Sequence, residues 1–144
     1  DTYSEVDYIN QVEDSIGVKP IKTYLGEINL FAEIENEDDV KNIKPDFDKL
    51  INLEGQGLII SSKSQQFDFV SRYFCPKYGI NEDPVTGSAH TTLIPYWADK
   101  LNKSSMTARQ ISKRGGILYC TNLDDRVLIG GKAVLYMKGE IEIT

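Results

Sequence analysis

The 144-residue chain is short of metal ligands: its only histidine is His90, and its only cysteines are Cys75 and Cys120. A zinc centre draws about three or four Cys, His or carboxylate ligands from close spacing. No such group stands out here, so no metal is expected. Two cysteines with no export signal read as free, buried thiols rather than as a disulfide. Positive charge is also scarce, with 16 Lys and Arg against 22 Asp and Glu and a net charge of −6. Proteins that wrap nucleic acid or dock on anionic membranes need a surplus of cations, so neither partner is expected. No apolar run approaches the roughly 20 residues that span a bilayer. Repeats, low-complexity tracts and linkers are absent, and the length suits one domain. The chain opens on Asp-Thr-Tyr-Ser without a leader pattern and without an initial Met. That suggests a cytoplasmic protein that has been processed or that starts further upstream.

What the chain does contain is a mixed pattern. Val6, Ile9, Val12 and Ile16 recur at helical spacing, and Ser4 with Asp7 resembles a capping box, so a helix is predicted over 4–16, stopped at Gly17. Strands are predicted at 23–25 and 28–34. The acidic run Glu35–Asp39 suits a helix N-terminus. Helical turns interrupted by Pro45 carry Val40, Ile43, Phe47, Leu50 and Ile51. Residues 57–62 read as a buried strand. Residues 66–75 alternate, with Phe69, Ser71, Tyr73 and Cys75 on one side and Val70, Arg72 and Phe74 on the other. A helix over 88–102 contains Pro95. Strands are then predicted at 108–113, 117–121, 126–129, 133–138 and 140–143. Many strands around few helices define an α+β domain.

The chemistry is concentrated between Arg72 and His90. Pro76 and Gly79 shape a loop, Glu82 and Asp83 are adjacent carboxylates, and Pro84 biases Asp83 toward an extended backbone. Thr86-Gly87-Ser88 then opens a helix, whose first amides are unpaired and whose dipole favours an anion. Small residues there let a ligand approach the backbone. The same residues suit ordinary helix capping, so capping by Thr86 or Ser88 and binding of a carboxylate-bearing molecule both stand. Asp83 lies beside that turn as acceptor or proton carrier.

The pattern Arg72-x-Phe74-x-Pro76-x-x-Gly79-Ile80-x-Glu82-Asp83-Pro84-x-Thr86-Gly87-Ser88-Ala89-His90 resembles the signature of the PhzF, or phenazine-biosynthesis-like, family. Pro95-Tyr96-Trp97, Gln110-x-Ser112-x-Arg114-Gly115-Gly116 and Val127-x-Ile129-x-Gly131 match it in the same order. The resemblance implies the diaminopimelate-epimerase-like fold, of two similar α+β halves, each a curved, mainly antiparallel sheet around a central helix, with the active site between them. Residues 1–144 resemble the C-terminal half. The implied activity is a cofactor-independent isomerisation, by proton shift, of a small carboxylic acid. The implied partners are that substrate, the N-terminal half and a second copy in a homodimer. Asp83 is the implied catalytic residue of this half, and Gly87, Ser88 and Thr86 the substrate-binding ones. The implied acid/base is a Glu of the N-terminal half, so 1–144 alone is expected to be inactive. Epimerases of this fold carry a Cys near the position of Thr86, so chemistry with two thiols is not expected. Glu82 reads as fixing the loop, His90 as packing, and Arg72 and Arg114 as ion-pair partners of the loop or as substrate contacts. A non-catalytic small-molecule-binding or interaction domain with the same fold is the alternative.

Overall fold

A computed structural model describes residues 2–143 of the chain. Strands β1 (Tyr3–Val6), β2 (Lys22–Gly26), β3 (Leu30–Glu33), β4 (Leu58–Lys63) and β5 (Phe69–Cys75) are followed by β6 (Ile80–Glu82), β7 (Ser105–Gln110), β8 (Gly116–Leu123) and β9 (Arg126–Gly130). They form one nine-stranded sheet in the order β1-β2-β3-β4-β5-β7-β8-β9, with β6 paired to β5. The β3/β4 and β5/β7 pairs are parallel and the rest antiparallel. Helices α1 (Ile9–Ile16), α2 (Glu37–Asn42) and α3 (Phe47–Leu50) accompany the first half of the sheet, and α4 (Gly87–Leu101) is the long one.

Alternation along β4 and β5 divides the interior in two. Ile59, Phe69, Tyr73 and Cys75 face α4, where they join Leu93, Ile94 and Trp97. Leu58, Ile60, Val70 and Phe74 face the other way, against Val12, Ile16, Val40 and Leu50 from α1–α3. The centre of the sheet, β3 to β5, is therefore buried on both faces, and α4 is enclosed by apolar side chains from several strands. Trp97 is 1% exposed and stacks on Phe69 at 5.7 Å, with its indole N–H donating to Ser61 Oγ at 2.9 Å. Pro95 lies within α4, and the helix continues through it. Among the described residues no helix is long and apolar enough to cross a membrane.

Strand β7 lies three residues earlier than the expected 108–113, β6 forms within the expected loop, and two stretches differ more deeply from the sequence expectation. Residues 3–6 are a strand, not the first turn of a helix. They pair antiparallel with 23–26, and α1 begins only at Ile9, with Tyr8 at its N-cap and no side-chain cap. Val6 falls into helical register with Ile9 by coincidence of spacing. Residues 131–143, expected to supply two strands, have no regular structure. Val134, Leu135, Tyr136, Met137, Ile141 and Ile143 are all largely exposed. A strand needs a ladder partner, and no described strand pairs with this segment. The stop at Gly17, in the left-handed conformation (φ 73°), matches the expectation.

Candidate functional site

The site is built where β5 ends and α4 begins. After β5 the chain makes a short 3-10 turn and returns as β6, so that Glu82 lies opposite Phe74. There Arg72 grips Glu82 with two bonds, Nε to Oε1 at 2.7 Å and Nη2 to Oε2 at 3.0 Å. Its Nη1 donates to the carbonyls of Val40 and Ile43 at the end of α2. Arg72 thus ties the loop to a helix end, and both partners are largely buried. Of the two readings for Arg72, its contacts are those of a structural partner.

Asp83 follows, half-buried, with its backbone N–H donating to Tyr73 O at 3.1 Å. Its Oδ2 accepts from the Thr86 hydroxyl at 2.5 Å. Thr86 occupies the N-cap position of α4 but makes no side-chain cap bond to the helix. Of the two readings of Thr86-Gly87-Ser88, capping by the Thr86 hydroxyl is thereby removed. Helix geometry gives the amides of Gly87 and Ser88 no intrahelical acceptor. Both residues are exposed, and among the described residues no other acceptor meets these two N–H groups. Gly87, Ser88, Thr86 and Asp83 are therefore together, two free donors beside a carboxylate.

The surrounding turns hold this loop in place. Gln110, at an inward position of β7, is fully buried; its Oε1 accepts from Thr86 N at 2.8 Å and its Nε2 donates to Asp83 O at 2.8 Å. Ser112 Oγ donates to Pro84 O at 2.7 Å. A Cβ at Gly116 would lie 2.6 Å from Val85 Cγ2, which explains glycine where β8 passes the loop. An open groove of about 600 Å³ runs along this end of α4, lined by Gly87, Val85, Arg114, Gly116, Tyr119 and Lys132. Arg114 and Lys132 bring positive charge to it, and neither forms an ion pair among the described residues. Arg114 is thus a groove-lining residue rather than an ion-pair partner of the loop. Glu82, Pro84 and Arg114 also line a neighbouring groove.

Sequence reasoning named Gln110 only as part of a pattern, and missed Lys132 and Tyr119 as groove-lining residues. The available signal was Gln110 itself, a polar residue at a buried position of an alternating strand that needs partners nearby.

His90 and the two cysteines are held out of proton transfer. His90 is buried, its Nδ1 2.7 Å from the Thr86 carbonyl and its Nε2 3.4 Å from Ser71 Oγ. A carbonyl only accepts, so Nδ1 carries the proton and Nε2 accepts from Ser71. Burial lowers the His90 pKa, with the Thr86 carbonyl working in the opposite direction, so the ring is held neutral. Burial, with the charge of Asp83 second, pushes the Cys75 thiol up. Burial and then Asp68 push Cys120 up to about 11. Both thiols are free, buried and protonated near neutral pH, and neither stands at the place of Thr86. Among the described residues no group of three or more His, Cys, Asp or Glu is arranged to hold a metal ion.

The arrangement is an α+β domain with two unpaired amides at the start of its enclosed helix, a carboxylate beside that turn and basic residues along the adjoining groove. The particular family follows from comparison: the family model described as "Phenazine biosynthesis-like protein" matches residues 5–139, and the chain belongs to that family. A protein named an uncharacterized isomerase in Pseudomonas aeruginosa is 45% identical over 141 residues, covering 98% of this chain and 54% of the relative. The human phenazine biosynthesis-like domain-containing protein is 40% identical over 121 residues, covering 76% of this chain and 42% of its own. A crystal structure of a PhzF-family protein from Enterococcus faecalis superposes with a TM-score of 0.89 at 44% identity, covering 97% of this chain and 54% of that one. A PhzC/PhzF protein structure from Clostridium difficile gives 0.87 at 43% identity, over 99% of this chain and 55% of that one. The chain spans about half the length of the curated relatives it matches.

Proposed function

We propose that residues 1–144 form the C-terminal half of a cofactor-independent isomerase that moves a proton within a small carboxylate-bearing molecule. The observation that carries this reading is the pair of free amides at Gly87 and Ser88 with the Asp83 carboxylate beside them. In this proposal the two amides and the Ser88 hydroxyl take the substrate carboxylate, Thr86 shapes the turn, and Asp83 faces the substrate's amino or hydroxyl group and takes part in the proton relay. The isomerase names carried by relatives from Pseudomonas aeruginosa and Halalkalibacterium halodurans support the reaction class.

The base that moves the proton between carbons belongs, in this reading, to the N-terminal half. Proton transfer in the transition state needs a positioned acid or base. This chain offers Asp83, a Glu82 held by Arg72, and a His90 sealed in the core. The same missing half would cover the exposed apolar segment 134–143 and close the groove against water. The unpaired edges of β1 and β9 support association into a homodimer. The free buried thiols support a cytoplasmic setting.

The test uses the full-length protein and a panel of small cyclic and amino-acid-like carboxylic acids in deuterated water. NMR should detect incorporation of deuterium at one carbon of one panel member, lost on Asp83→Asn. Binding of a panel acid at the Gly87–Ser88 turn with no exchange or isomerisation at any carbon would favour a non-catalytic binding domain.

A further inference from the structure

The Asp83–Thr86 loop contains a hydrogen-bond relay whose direction is fixed by chemistry. Thr86 N–H is a donor, so it must face the oxygen of the Gln110 side chain, at 2.8 Å. Asp83 O is an acceptor, so it must face the Gln110 nitrogen, also at 2.8 Å. Only one orientation of the amide satisfies both. In that orientation Gln110 Nε2 also donates to Thr86 Oγ1, at 3.1 Å. The Thr86 hydroxyl, having accepted there, sends its own proton to Asp83 Oδ2, at 2.5 Å. An oxygen receiving that proton is not the one that carries a proton of its own. Asp83 Oδ1 has no partner among the described residues. Gln110 also occupies Thr86 N–H, so the first free donors of α4 are those of Gly87 and Ser88.

We propose that Gln110 is the positioning residue of this site: through Thr86 it reserves Asp83 Oδ1 as the oxygen that meets the ligand and carries any transferred proton, and it leaves Gly87 and Ser88 as the anion donors. Gln110 itself touches no ligand. It is fully buried on β7, and every polar atom of its side chain is committed to the loop. The assignment of a ligand to this turn rests on the function proposed above, while the relay does not.

The experiment is NMR on the intact protein, with acetate as the carboxylate probe. Without acetate, the Thr86 amide should exchange with solvent at least about 100-fold more slowly than those of Gly87 and Ser88, as a buried bonded amide does beside open ones. Gln110→Leu, which removes the oxygen that accepts from Thr86 N–H together with the Nε2 donor, should abolish that protection while core strands keep theirs. It should also weaken acetate-induced shifts at Gly87 and Ser88 by roughly tenfold, the scale of one lost buried hydrogen bond. Thr86→Val should move the carboxyl carbon resonance of Asp83, and Thr86→Ser, which keeps the hydroxyl, should leave it in place. If Gln110→Leu does not fold, the Thr86 pair decides the matter. A Thr86 amide that exchanges as fast as Gly87, or an Asp83 resonance unmoved by Thr86→Val, overturns the relay. Failure of acetate to shift Gly87 and Ser88 in the wild type, with the relay intact, instead overturns the functional reading of the turn.

Discussion

The two ends of α4 are opposites. At the C-terminal end the last turn is closed by partners inside the protein. Asn102 closes the helix in the left-handed conformation (φ 52°), and Lys103 N–H satisfies Ala98 O. Glu33, only 3% exposed, accepts from Tyr96 at 2.5 Å and from Lys100. Tyr96 is ringed by Tyr3, Tyr24, Phe31 and Trp97 at centroid distances of 4.9–6.1 Å. Burial, then the bond to Glu33, pushes its hydroxyl far above the ordinary tyrosine range. At the N-terminal end Gly87 lines an open groove, and its amide and that of Ser88 have no partner among the described residues. A buried helix end with no partners for its amides would be costly; an exposed one beside a carboxylate is free to take a ligand. One end of the helix serves stability, and in the proposed function the other serves recognition.

Substitutions at the two ends should separate accordingly. The largest effect should come from Trp97→Ala in the closed core, which removes the stack on Phe69 and the bond to Ser61 and should cost about 3–5 kcal/mol of folding stability. Urea denaturation measures it. Asp83→Asn, at the open end, should lower turnover of the full-length enzyme roughly 10²-fold, about 2.7 kcal/mol in barrier, with its denaturation midpoint nearly unchanged. Wild-type turnover in that variant would remove Asp83 from the mechanism. Glu33→Gln should cost about 1–3 kcal/mol of stability by uncoupling Lys100 and weakening the bond to Tyr96, and should leave deuterium exchange by the full-length enzyme within about twofold, a margin set by this site being at the far end of the helix from the proposed chemistry. If Glu33→Gln lowers turnover as much as Asp83→Asn, the two ends are not separate in function.

The smallest effect should be on pH dependence. His90 is the only histidine, and its folded pKa lies below the ordinary value. The unfolded chain therefore takes up a proton first as pH falls, so stability rises with pH through this window. The contribution is neutral above the unfolded value near 6.5 and becomes a loss as pH falls from there toward the folded value. Melting temperatures between pH 7.5 and 5.5 should decline, and His90→Gln should flatten the decline. A rise in melting temperature on acidification would contradict a buried neutral imidazole.

Much of this arrangement is legible in the sequence because it rests on local rules. The alternation of Phe69, Tyr73 and Cys75 against Val70 and Phe74 identifies the two faces of β5 correctly. The run from Gly87 to Leu101 contains enough apolar residues to mark a helix despite Pro95. The Asp83–Ser88 turn is visible because small residues before a helix have a physical meaning at that spacing. What is not legible depends on partners distant in sequence. Strand β1 shares the spacing of a helix, and only β2, some 20 residues on, decides the matter. Segment 131–143 has the pattern of strands, yet a pattern cannot supply the sheet to which a strand belongs. Gln110 looks like one more residue of β7, and its role follows from a loop 24 residues away.

The most direct measurement is solvent-deuterium incorporation, followed by NMR, into whichever panel acid the full-length protein accepts. Residues 1–144 alone would be compared with the same chain recombined with the N-terminal half. If this domain provides one wall of a site whose base stands on the other, the isolated chain will show no exchange above the uncatalysed rate, and recombination will restore it. Exchange at the substrate carbon by residues 1–144 alone, abolished by Asp83→Ala, would show that this domain is a complete catalyst.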